Sequence, residues 1–139
     1  MHFDSEQAIL SFCASFEDGS FPKAQWTHAS HIAMATCYLW RLPIHEAILV
    51  IRTGIQTYNV AQGGQNTPES GYHETLTIFW IQRVAELLAE MPVNATLLDA
   101  VRASVEKFGA RRDLFQDYYS FDVVKSIEAR ARWVAPDLK

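Results

Sequence analysis

The amino-acid sequence predicts an all-α protein, a single-domain antiparallel helical bundle of about five main helices followed by an irregular C-terminal segment. Three observations lead there. Apolar residues recur at intervals of three and four over most of the chain. No alternating run of Val, Ile and Thr marks a strand. Gly, Pro, Ser, Thr and Asp fall between the helical stretches, where caps and turns are needed.

Asp4 is placed to cap a first helix, with Gln7 as capping-box partner and Ile9, Leu10, Phe12, Cys13 and Phe16 as its apolar face. Asp18-Gly19 reads as a turn and residues 21–26 as a connector. Thr27 is the expected N-cap of a second helix over residues 28–41. Pro43 suits the first turn of a third, in which Ile44, Ala47, Ile48, Ile51, Ile55 and Tyr58 form one stripe. Residues 62–71 are polar and hold Gly, Asn, Pro and Ser, the signature of a surface loop with room for function. A fourth helix is expected over residues 72–91, ended by Pro92, and a fifth over residues 94–108, with Gly109 as a left-handed stop. Short helical pieces should occupy residues 114–133.

At 139 residues, 49% of them hydrophobic, one core suffices, and no linker or repeat divides residues 1–139 into smaller domains. The formal net charge of -4 argues against nucleic acid as a partner. No basic segment leads into an apolar run at the N-terminus, and no stretch is apolar for long enough to span a bilayer. No membrane association and a cytoplasmic location are therefore expected. Cys13 and Cys37 lack metal-site or redox spacing and lie in apolar stretches, which favours buried, reduced thiols. A homodimer is compatible with all of this.

The residues that carry chemistry are His28, His31, His73 and Glu74. His28 and His31 are three apart on the apolar side of the second helix, and His73 and Glu74 lead into the apolar rows of the fourth. Buried imidazoles and a carboxylate need hydrogen-bond partners or a cation. One expectation is a divalent-metal site, zinc, nickel, manganese or iron, with His28, His31 and His73 as ligands and Glu74 as a fourth ligand or catalytic base. The positive ends of the helices would repel such a cation, so Glu74 would be needed to balance the field. Asn66, Thr67 and Tyr72, with Ser70, precede or adjoin His73 and are candidates to orient a substrate. Arg112, next to Arg111 and upstream of Tyr118-Tyr119-Ser120, is a candidate to clamp a carboxylate or phosphate. The alternatives are a metal-free module that binds a small molecule or partner through a buried histidine network, and a pH-responsive protein. Gly63-Gly64 lacks the Lys-Ser/Thr of a phosphate-binding loop, and no Gly-x-Ser-x-Gly elbow is present. His2, near the terminus, and His45, on a polar helix face, stand outside the cluster.

Trp26 to His31 (WTHASH), Asn66 to Thr77 (NTPESGYHETLT) and the closing ARWVAPDL together resemble an uncharacterised family of small bacterial proteins. In that family W-T-H-x-x-H, N-T-x-x-x-G-Y-H-E-T and W-V-x-P-D-L recur. The resemblance covers most of the chain. It implies that His28, His31, His73 and Glu74, with Trp26, Thr27, Tyr72 and Thr75, stand at motif positions, and it brings no reaction with it. An arginine follows Tyr-Tyr-Ser in the family pattern. Here Phe121 stands there, which weakens an anion-binding reading of that segment.

Overall fold

Capping side chains set where the helices begin. In the computed structural model, which describes residues 1–139, six α-helices are joined by turns and two short 3-10 segments, with no β-strand. Helix α1 (Glu6–Glu17) starts after Ser5, whose extended backbone lets its hydroxyl accept from the Ala8 amide at 3.2 Å. Ser5 therefore takes the role the sequence assigned to Asp4, which pairs with His2 instead. Ile9, Phe12, Cys13 and Phe16 face inward, whereas Leu10, a hundred degrees round the helix from Ile9, is exposed.

Helix α2 (His28–Arg41) matches its expected span, and Thr27 and Ser30 cap each other reciprocally in a capping box. Its residues from Ile32 to Tyr38 are all buried, so α2 is enclosed on nearly every side and forms the axis of the bundle. Helix α3 (Ile44–Ala61) follows Pro43 and buries Ala47, Ile51, Ile55 and Tyr58; Ile44, at its start, is exposed.

Helix α4 (Glu74–Ala89) begins two residues later than the apolar pattern implies. Gly71 adopts a left-handed φ of 79°, the Tyr72 amide bonds to the Asn66 side chain, and His73 serves as the N-cap. Helix α5 (Leu97–Phe108) likewise starts late, because Thr96 and Asp99 form a second capping box. Gly109 ends α5 with a right-handed φ of -59°, not the left-handed stop expected, its amide bonding to the Val105 carbonyl.

The tail forms a 3-10 segment (Leu114–Asp117) and a short helix α6 (Ile127–Ala131). It is pinned to α4. Thr75 donates to the Arg132 carbonyl and accepts from the Val134 amide, and the Tyr119 hydroxyl donates to the Val134 carbonyl.

The largest apolar cluster joins α1, α2 and α3 around Phe16, Met34, Ile51 and Tyr58. A second unites Phe79 of α4 with Tyr119, Val123 and Ala129 of the tail. A third sits where Ile32, Val84 and Phe108 meet. Each fully buried side chain of this size contributes roughly 1.5–3 kcal/mol. No helix is long and apolar enough to cross a membrane.

Candidate functional site

The start of α2, the start of α4 and the loop between α3 and α4 converge on one cavity of about 1000 Å³. Trp26, Tyr72, Trp80 and Phe115 give it aromatic walls and Leu76 and Val124 add apolar surface, while Tyr58, Met34, Ile51 and Ile81 lie at its lining but are almost fully buried in the core. His28, His31 and His73 all face this space, which brings together the three histidines that the sequence singled out.

Each ring is oriented by a backbone group. The His31 Nδ1–H donates to the Thr27 carbonyl at 2.8 Å, and the ring packs on Trp26 with centroids 4.1 Å apart. The Ser30 hydroxyl donates to the Gln25 carbonyl, which ties the turn carrying Trp26 to the capping box at the start of α2. The His28 Nε2–H donates to the Phe108 carbonyl at the end of α5, and the ring meets Trp80 at 4.5 Å. Because a carbonyl can only accept, the neutral tautomers follow, and they leave His28 Nδ1 and His31 Nε2 as acceptors. Neither of these two atoms has a partner in the protein, and neither is sealed from solvent.

His73 differs. Its Nδ1 accepts from the Leu76 amide at 3.1 Å, capping α4, while its Nε2–H donates to the Val123 carbonyl at 2.8 Å. Both nitrogens are committed, and the ring ties the start of α4 to the tail. A metal at His73 would have to displace the helix cap.

Burial disfavours the charged form of all three rings. It holds His31 at about 4, with the Thr27 carbonyl acting in the opposite sense and nearby His28 adding to the depression. It lowers His28 against the pull of the Phe108 carbonyl, with the Arg112 charge helping. It also lowers His73, to which Arg130 adds. The imidazoles are neutral at pH 7.

Glu74 does not line the cavity. Both of its oxygens are held by the Arg52 guanidinium, at 3.0 and 2.6 Å, and Oε1 also accepts from the Tyr72 hydroxyl at 2.6 Å. Burial raises this carboxyl, but the hydrogen bonds from Arg52 and Tyr72 outweigh it and hold the group below its ordinary value. Its charge is spent on Arg52 in the seam between α3 and α4. No three His, Cys, Asp or Glu side chains are grouped so that they could hold a metal ion.

The remaining candidates divide by role. Asn66 accepts from the Asn59 side chain and the Tyr72 amide and donates to the Gln56 carbonyl, so it anchors the loop to α3. Thr67 closes a turn onto Ser70 and, like Asn66, stands outside the cavity lining. Tyr72 lines the cavity with its ring while its hydroxyl serves Glu74. Arg112 lines the cavity. The wider clamp foreseen around it does not assemble. Arg111 pairs with Asp113 and Asp117, Tyr119 is buried against Val134, and Ser120 is bonded to Asp137.

Sequence reasoning missed Arg52 and Trp80. Arg52 lies beside the buried stripe of α3 and finds its carboxylate 22 residues downstream, a pairing without any local signal. Trp80 does sit on an apolar stripe, which marks burial but does not distinguish a core position from a cavity wall. No protein-family model, no curated protein and no solved structure matches the chain.

Proposed function

We propose that this chain binds a small, largely apolar molecule in the cavity between α2, α3 and α4, using aromatic walls and two neutral imidazoles, without a resident metal. One observation carries the reading: a space of about 1000 Å³, rich in aromatic surface, into which His28 and His31 offer ring nitrogens that no protein group uses. Ligand sites are typically mostly apolar concavities with a few convergent polar groups. A ligand that fits supplies N–H or O–H donors to those two nitrogens and apolar surface to Trp26 and Trp80.

A second reading keeps a divalent metal at His28 and His31, favoured by their unshared nitrogens three residues apart on one helix. Electrostatics weigh against it. Helices α2 and α4 both begin at the cavity, each with roughly half a positive charge at its start. The carboxylate that would offset this field, Glu74, is already neutralised by Arg52.

The test combines two measurements on tag-free protein. Elemental analysis before and after chelation should show no stoichiometric transition metal and no change in melting temperature. N-phenylnaphthylamine, a neutral aromatic with one N–H, should be taken up saturably at one site, and filling the space by Leu76→Trp should abolish that uptake. About one metal per chain, lost together with probe binding on chelation, establishes the metal reading. Absence of saturable uptake refutes the binding cavity.

A further inference from the structure

The cavity carries a positive field in a protein whose net charge is -4. Arg112 and Lys23 both line it. Every other arginine in the chain hydrogen-bonds or pairs with a protein oxygen. Arg112 has no hydrogen bond, ion pair or aromatic face of its own, and the ammonium of Lys23 is equally unpartnered. The one acidic residue lining the space, Asp113, lies 3.7 Å from Arg111, a cation it shares with Asp117, so two free cations stand against one partly answered carboxylate. The starts of α2 and α4 add two positive helix ends in the same sense.

A guanidinium left free at the edge of an aromatic-walled space matches the planar, two-oxygen geometry of a carboxylate. The aromatic walls match a flat ring. The acceptor nitrogens of His28 and His31 repel a carboxylate and attract a hydroxyl or N–H, so they fix which end of the ligand goes where. We infer that the ligand is a small aromatic acid carrying a hydrogen-bond donor, its carboxylate held at Arg112 and its donor facing His28 and His31. This rests on the cavity reading above. It adds the charge and the polarity of the occupant.

Calorimetric titration of wild-type protein with hydroxynaphthoate and with its neutral methyl ester tests it, alongside the Arg112→Gln variant. Because Arg112 makes no hydrogen bond, ion pair or cation–π contact within the protein, the variant should melt close to the wild-type temperature. The acid is expected to bind wild type about tenfold more tightly than the ester, the scale of a charge-assisted hydrogen bond at a partly open rim. Arg112→Gln should erase that preference, weakening the acid about tenfold more than the ester. High salt should shrink the preference in wild type. Equal affinity for acid and ester, or a preference that survives Arg112→Gln, overturns the inference and leaves the cavity reading standing. Failure of both compounds, together with failure of N-phenylnaphthylamine, overturns the two readings at once.

Discussion

His31 is held neutral by its surroundings, and that makes the fold sensitive to mild acid. Its folded pKa of about 4 lies below the ordinary 6.5. Protons between these values bind the unfolded chain and not the folded one, so stability is fully present above the unfolded value and declines as pH falls towards the folded one. Between pH 7 and pH 5 those two pKa values give a loss of about 2 kcal/mol, and the partial exposure of His31 screens this to about 1–2 kcal/mol. For a domain of this size that is a drop of about 4 °C or more in melting temperature. His31→Phe keeps an aromatic ring against Trp26 and removes the titrating group. The lost bond to the Thr27 carbonyl costs about 1 kcal/mol at every pH. His28 and His73 are depressed in the same direction and remain in both proteins, so the difference between wild type and variant isolates His31. Urea denaturation at pH 7, 6 and 5 should give a pH slope that is shallower in His31→Phe. An equal slope in the two proteins would refute the assignment of a neutral, desolvated His31.

His73→Ala removes the cap of α4 and strands the buried Val123 carbonyl, for a loss of about 2–3 kcal/mol in urea midpoint analysis; a change under about 0.5 kcal/mol would contradict the structural role given to this ring. Glu74→Gln and Arg52→Gln, singly and together, should show a coupling of about 1 kcal/mol, modest because the Arg52 side chain is 34% exposed. That coupling is present at neutral pH and fades as acid protonates Glu74 through its lowered folded pKa; additive effects of the two substitutions would argue that the pair is idle. Gly71→Ala should destabilise by about 2 kcal/mol or more and weaken probe uptake. The backbone there is left-handed, and an added Cβ would collide with the Gln65 carbonyl at the cavity loop; near-wild-type melting would show that the loop is built differently.

The helical class, and the helices with strong apolar stripes, were legible in the sequence because their information is local. Spacing at three and four residues dictates which face is buried, and Thr27 announces the start of α2 by its own chemistry. Local reading put the first cap at Asp4, and Ser5 takes it, since the position turns on backbone angles that no single residue reveals. The sequence also marked His28, His31 and His73 as inward-facing, and the three do share one cavity. Their division of labour belonged to the tertiary structure alone. Val123, 50 residues beyond His73, spends one of its nitrogens, and Phe108, 80 residues beyond His28, fixes that tautomer. Glu74 looked like the charge that could balance a metal until α3 supplied Arg52. Whether a buried ionisable group is free depends on what faces it from other elements. Those partners lie tens of residues away, and only packing brings them within the few ångströms over which hydrogen bonds and charges act.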